Sequence, residues 1–204
     1  MAEACDPDRH RSDEELMKAF RENNAEEAFH TLYRRYFKPI CLYLQRLFSL
    51  VSWSDAEDLA EETFLRVVRW KGQFNTNQPF RNWLFKVAKN VRIDFLRRKN
   101  RRIIEVAREF DATGNFVDSA PSPELVWMIH EFLMKLPPGQ RAVIELEFFH
   151  NFSRSDIAEI LAIPIGTVDS RRYNALKKME DHLKASGGWS FARAIGHRQG
   201  GKSQ

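Results

Sequence analysis

The sequence predicts an all-α protein, two small helical domains joined by a flexible linker, with a helix-turn-helix in the C-terminal one. Three observations predict it. Apolar residues return every three or four positions through most of the 204 residues, and no stretch keeps the strict alternation of a half-buried strand. The periodicity lapses over residues 103–122, where Gly114, Asn115 and Pro121 interrupt the chain and Pro123 follows, as expected between domains. Further on, Ser153, Pro164 and Gly166 bracket one short helical stretch and a turn ahead of a longer one.

In chain order, a short helix is expected from Ser12 to about Glu22. Ala25, Phe29, Leu32, Tyr36, Ile40, Leu44 and Leu47 then fall on one stripe of a long helix. Ala56, Leu59, Thr63, Val67 and Val68 form the next stripe, with Ser54 as the expected N-cap and Gly72 as the stop. Phe80, Trp83, Leu84, Val87, Val91 and Phe95 form a third, and its place on that stripe assigns Trp83 to the core. These four helices can close one core, a first domain over 12–102. The linker, 103–122, carries Glu105, Glu109, Asp111 and Asp118 against Arg108. A second domain spans 123–184. It opens with Leu125, Ile129, Phe132 and Leu136 on a helix stopped by Pro137 and Pro138, and continues with Val143, Leu146 and Phe149 on another. Five of the nine glycines fall from Gly187 onward, so 185–204 reads as a flexible tail, either regulatory or merely disordered.

Inside the second domain, Ser153 and Asp156 have the spacing of a capping box, and Asn151 can take the left-handed turn that ends the preceding helix. A helix is expected from about Arg154 to Leu161, burying Ile157, Ala158 and Leu161. Residues 162–166 then turn, because Pro164 cannot continue a helix and Gly166 permits an unusual backbone angle. The chain restarts at Thr167 with Val168, Ala175, Leu176, Met179 and Leu183 inward. Thr167, Asp169, Ser170, Arg171, Tyr173 and Asn174 are left outward. Polar residues on the first turns of a second helix are what reading a major groove requires.

Composition excludes much else. With 43% hydrophobic and 29% charged residues the chain is globular rather than disordered or fibrous. Its apolar runs fall short of the roughly 18 residues a bilayer span needs, and no apolar signal core follows the acidic N-terminus, so neither membrane insertion nor secretion is expected. Cys5 and Cys41 build neither a disulfide framework nor a CxxC pair, which suits a reducing cytoplasm. No GxxxxGK[S/T], GxGxxG or HExxH occurs, and the six histidines lack ligand spacing, so no catalytic residue, metal or cofactor is expected. The net charge of +4 says little, but its distribution says more. From Arg81 to Arg102 there are nine basic residues against Asp94 alone, whereas Asp55 to Glu62 holds five acids in eight positions. Two neighbouring faces of opposite sign suggest two different partners. The basic one suits phosphates, with Arg92, Arg97, Arg98 and Arg101 as candidates; such contacts supply affinity and register but no sequence information.

These residues resemble the bacterial sigma-70 family of transcription initiation factors, specifically its small extracytoplasmic-function (ECF) group, over about residues 13–183. Three blocks carry the resemblance. Asp55-Ala-Glu-Asp-Leu-Ala-Glu-Glu-Thr-Phe64 looks like the family's core-polymerase-binding helix. Phe80, Trp83, Leu84, Ala88, Asn90, Asp94, Arg97 and Arg98 fit the helix that meets the minus-ten element. Leu136, Pro137, Arg141, Ile157, Ala158, Leu161, Gly166, Thr167, Val168, Ser170 and Arg171 look like the domain that reads the minus-thirty-five element. The family's first and third regions have no counterpart, as in the ECF group.

The resemblance implies roles. Glu57, Asp58, Glu61, Glu62 and Arg66 become candidates for docking on core RNA polymerase, although a charge run taken alone is commonly a solvated helix face. Asn75, Thr76, Asn77 and Gln78, in the polar segment that ends at Pro79, become the loop that holds a base turned out of the promoter stack, with Asn90 on the same side. Ser153, Arg154 and Lys177 join the outward residues of the recognition helix at minus-thirty-five DNA. Many relatives carry basic residues where this chain has Asp169 and Asn174, and a glycine where it has Ala162. Asp169 either lies near phosphate, which it would repel, or accepts from a cytosine amino group, while Asn174 is suited to adenine; an unusual minus-thirty-five sequence is the expectation. The acidic linker is expected to thread the channel that RNA later occupies. Implied partners are core RNA polymerase, promoter DNA and an anti-sigma factor. Two rivals are weighed: an enzyme, which lacks a motif, and a stand-alone helix-turn-helix regulator, which leaves the two charged helices unassigned.

Overall fold

The computed structural model describes residues 10–46, 52–103 and 132–185. The expected acidic linker beyond Ile103 and the expected flexible tail beyond Ala185 lie outside the described residues, as does Leu47. Every regular element among the described residues is helical: α1 (Asp13–Asn23), α2 (Glu26–Arg46), α3 (Trp53–Trp70) with a 3₁₀ turn at Lys71–Gln73, α4 (Phe80–Ile103), α5 (Pro138–Ile144) widening into a π turn at Glu145–Phe149, α6 (Arg154–Leu161) and α7 (Ile165–Ala185). Residues 132–135 form a further helical turn ahead of α5.

Helices α1 to α4 enclose a core in which Leu16 and Met17 of α1, Leu32, Ile40 and Leu44 of α2, Leu59 and Phe64 of α3, and Phe80, Leu84 and Val91 of α4 are buried. Capping decides where two of these helices begin. Ser12 and Glu15 exchange side-chain and backbone hydrogen bonds at the start of α1. At α3 the same box forms between Ser52 and Asp55, whose amide donates to the Ser52 hydroxyl at 3.0 Å. The expected cap, Ser54, is instead inside the first turn, because the box closes two residues earlier, on Ser52. The expected inward stripe of α3 also needs correction. Val67 is buried but Val68 is 39% exposed, since adjacent helical positions are about 100° apart and both cannot face one core. In the middle of α2, Cys41 is fully buried, and burial with Glu57 nearby raises its thiol to about 12, so it stays protonated and inert.

In the second domain, Arg141 lies buried and donates to the carbonyls of Met134 and Leu136 at 2.6 and 3.1 Å, locking the 132–135 turn onto α5. Asn151 adopts the expected left-handed conformation (φ 52°). The capping box at Ser153 and Asp156 starts α6 as expected. Ile160, absent from the expected stripe, is fully buried, whereas Ala158 and Leu161 are half-buried. Two expectations about the turn are overturned. Helix α7 starts at Ile165 rather than Thr167, because the Pro164 carbonyl accepts from the amides of Thr167 and Val168 at 2.9 and 3.2 Å. Gly166 therefore lies in an ordinary first turn, and the left-handed angle falls on Ala162 (φ 54°), where the amide of Ile163 reaches back to the Ala158 carbonyl at 3.0 Å.

The two helical bodies touch along α4 and α6. Phe85 packs edge-on against Phe152 at 4.9 Å, and Tyr43, Phe85 and His150 form a ring cluster at 5.0 to 5.7 Å. Arg81 donates to the His150 carbonyl and lays its guanidinium 4.0 Å over the Phe152 ring. Buried Asn82 donates through Nδ2 to Asp156 at 2.7 Å and Glu159 at 3.1 Å. Burial pushes the Asp156 carboxyl up, but hydrogen bonds from Ser153 and Asn82, with the charge of Arg81, outweigh it and hold the group below its ordinary value.

Two outcomes are expected. Ala162→Gly removes the Cβ penalty at a left-handed position and should stabilise the second domain by about 1 kcal/mol, read as a rise in Tm. Asn82→Asp replaces a shared donor with a third carboxylate beside Asp156 and Glu159. It should loosen the contact between the domains while sparing each domain's helicity, seen as an increased hydrodynamic radius at unchanged far-UV circular dichroism.

Candidate nucleic-acid and protein interfaces

On α3, Ser54, Asp58, Glu61, Leu65 and Val68 are all exposed and recur at intervals of three and four, which puts them on one open stripe. Of the five predicted docking residues, Asp58 and Glu61 stand on it. Glu57 and Glu62 are half-buried at its flanks. Arg66 is turned away: its Nε donates to Glu62 Oε1 and its Nη1 to Asp94 Oδ2, both at 2.9 Å, with the Trp70 ring 5.6 Å from the guanidinium. It ties α3 to α4. The stripe continues into Leu65 and Val68, 52% and 39% exposed, which charge patterning missed. The surface is acidic at one end and apolar at the other. The adjacent pair Val67-Val68 was the signal for it.

The segment joining the first domain's third and fourth helices is held from outside. Asn77 donates its amide to the Asn75 side chain at 3.0 Å, and Gln78 its amide to the Asn75 carbonyl at 3.1 Å, folding a tight turn. Asn75 and Asn77 are exposed, Thr76 and Gln78 half-buried. Arg21 of α1 donates to the Phe74 carbonyl at 2.9 Å just before the turn, and Glu14 accepts the Phe80 amide at 2.9 Å just after it. Helix α4 has its first turn capped by a side chain 66 positions away in the sequence. Neither Arg21 nor Glu14 could be assigned this role by local pattern. Trp83 packs beside Phe74 and Phe80 at 5.2 and 6.1 Å, in the core position expected.

Along α4 the basic residues divide. Lys86, Arg97 and Arg98 are exposed, as is the neutral Asn90. Arg92, a predicted phosphate contact, is 8% exposed; burial pulls its guanidinium below the ordinary value, and Tyr43 is its first compensating neighbour. In this arrangement it faces the second domain rather than solvent. The side chain of Arg101 lies outside the described residues.

On the helix-turn-helix, Ser153, Arg154, Ser170, Tyr173, Asn174 and Lys177 are exposed, Thr167 half-buried. Ser170 donates its hydroxyl to the Thr167 carbonyl at 3.1 Å. Arg171, expected outward, is half-buried because its guanidinium lies on Gly139, where a Cβ would come within 3.0 Å of Cζ. Asp169 accepts from Arg154 Nη1 at 3.0 Å across the two helices. Arg172, which the sequence reading left out, donates from Nε to both Glu147 oxygens at 2.8 Å and braces α7 on the π turn. Ile165 stands 51% exposed at the tip of α7. Among the described residues no cluster of acidic, histidine and cysteine side chains could hold a metal ion, and no helix is long and apolar enough to cross a membrane.

Comparison with known proteins matches residues 32–102 to "Sigma-70 region 2" and residues 127–179 to "Sigma-70, region 4". Among similar curated proteins are the ECF RNA polymerase sigma factor SigW of Bacillus subtilis, 31% identical over 64% of this chain and 76% of its own, and the ECF RNA polymerase sigma-E factor of Haemophilus influenzae, 29% identical over 78% and 88%. Among solved structures, CnrH in complex with the cytosolic domain of CnrY shares the fold with a TM-score of 0.64 at 24% identity, covering 85% of this chain and 97% of that one. Bartonella quintana RpoE, in complex with the anti-sigma factor NepR, gives 0.65 at 23%, covering 76% and 96%.

Glu14→Ala should uncap α4 at a cost of about 1 kcal/mol, as loss of a capping side chain generally does. Native-state hydrogen exchange should show the Phe80 amide losing protection while amides in the middle of α3 keep theirs.

Proposed function

Since the chain belongs to the ECF group of the sigma-70 family and is a transcription initiation sigma factor, we propose that its three exposed faces divide the work of promoter recognition. The α3 stripe of Asp58, Glu61, Leu65 and Val68 docks on core RNA polymerase, with Glu57 and Glu62 at its margin. The acids favour encounter with a basic surface, and the apolar end supplies the area that excludes water. Asn75 to Gln78 and Asn90 hold an unstacked minus-ten base, and Arg97, Arg98 and Arg101 neutralise the backbone nearby. Ser153, Arg154, Thr167, Ser170, Tyr173, Asn174 and Lys177 face the minus-thirty-five duplex, while Arg171, lying on Gly139, braces the helix that carries them. The chain itself performs no chemistry; the polymerase does.

The observation that carries this reading is the coexistence, in one four-helix body, of an open acidic and apolar face on α3 and an open Asn90 to Arg98 face on α4. A stand-alone regulator has no use for the first of these. Residues 12–102 and 123–184 are the two reading domains. Elements about 25 base pairs apart lie about 85 Å apart along B-form DNA, at about 3.4 Å per pair. Domains joined through Arg81, Asn82 and Phe85 cannot span that length, so they separate when the promoter is engaged. Separation also frees Arg92 for backbone contact. The closed form suits storage with an inhibitor, and an anti-sigma factor is the partner proposed for it, as NepR is for Bartonella quintana RpoE. The cytoplasm is where such a factor works.

Run-off transcription with core polymerase, this protein and a promoter library, followed by start-site sequencing, should return one family of start sites sharing a minus-ten and a minus-thirty-five element. Random initiation would refute the assignment. The double substitution Asp58→Lys with Glu61→Lys should weaken binding to core polymerase by about tenfold or more, equivalent to about 1.4 kcal/mol, without lowering Tm. Unchanged affinity would remove α3 from the docking surface.

A further inference from the structure

The pairing of Arg154 with Asp169 has no structural purpose that its surroundings explain. Both side chains are open, 62% and 45% exposed, and an ion pair so placed contributes little to folding. It nevertheless joins the first residue of α6 to the second turn of α7, across the edge of the surface that faces the groove. The other arginines of this domain are occupied elsewhere. Arg141 is buried against the 132–135 turn, Arg172 is braced on Glu147, and Arg171 lies flat on Gly139. Arg154 is the guanidinium with most solvent around it, and Asp169 holds only its Nη1 edge.

In a helix-turn-helix the first helix crosses the DNA backbone while the second enters the major groove. A cation at the first residue of α6 is therefore placed for a phosphate. From these contacts we propose that Arg154 binds a phosphate flanking the minus-thirty-five element, and that Asp169 is a positioning residue which orients its guanidinium before DNA arrives. This rests on the sigma-factor reading above and deepens it. Asp169 then reads no base and does not sit naked against the backbone, because its charge is compensated by the group it holds. An arginine has many rotamers, and fixing one in the free protein reduces the entropy lost on binding. The remaining N–H groups of the fork stay available to phosphate oxygens.

The assignment predicts a reversal of sign. Holoenzyme assembled from core polymerase and the full chain is titrated with a fluorescent promoter duplex, taken from the start-site mapping, at several potassium concentrations. Arg154→Ala should weaken binding by about three- to tenfold and lower the salt slope by about 1, equally for every minus-thirty-five sequence tested. Asp169→Ala should also weaken binding in the natural background. In the Arg154→Ala background, however, the same Asp169→Ala change should tighten it, because there Asp169 is only a carboxylate near phosphate. All variants should keep the parental Tm. Tighter binding by Asp169→Ala in both backgrounds overturns the positioning role. An altered base preference in any variant, or no effect of Arg154→Ala, overturns the phosphate contact. A parental holoenzyme that holds no promoter overturns the sigma-factor reading and the pair's role with it, whereas normal parental binding confines a failure to the pair.

Discussion

Helix α4 is packed on two sides, and the arrangement of both domains follows from that. One side, with Phe80, Leu84 and Val91, closes the first core against α2 and α3. A second side, with Arg81, Asn82 and Phe85, meets α6 and the residues just before it. What remains open to solvent is a third strip through Lys86, Asn90 and Arg97. A helix has about 3.6 residues per turn, so three partners leave each roughly one residue per turn. The charge of α4 is accordingly divided among uses rather than spread over a single basic face.

The contact between the domains sets a buried polar group of side chains beside the apolar packing of Phe85 on Phe152. Glu145 is fully buried, His150 is 6% exposed with its Nε2 3.6 Å from Glu145, and Arg92 and Tyr43 approach from the first domain. Buried ionic groups add little net stability compared with apolar packing, because desolvation cancels much of their attraction. They do make a specific docking geometry.

The same division of labour explains why counting charges along the chain overstates the binding surface. Arg66 belongs to the acidic helix by sequence, yet it serves Asp94 on α4. Arg81 is engaged with a carbonyl and an aromatic ring, and Arg172 with Glu147. Each is spent on a contact at a helix junction. The residues left over, few and spaced on single faces, are those open to solvent.

The helical class, the two blocks of opposite charge, the capping box at Ser153 and the left-handed turn at Asn151 were all readable from the amino-acid order, because each depends on residues within about one helical turn of one another. The misplacements were also local: Ser54 in place of Ser52, Thr167 in place of Ile165, and Gly166 in place of Ala162 were choices between neighbouring candidates that backbone hydrogen bonds settled. Other features depended on groups far apart in the chain. That Glu14 caps α4, that Arg21 holds Phe74, that Arg154 meets Asp169 and that Arg92 lies against Tyr43 follow only from how helices dock. Periodicity tells which face of a helix is buried, but not which charged group on another helix will stand opposite it, and for this protein that decides which charges remain free to bind.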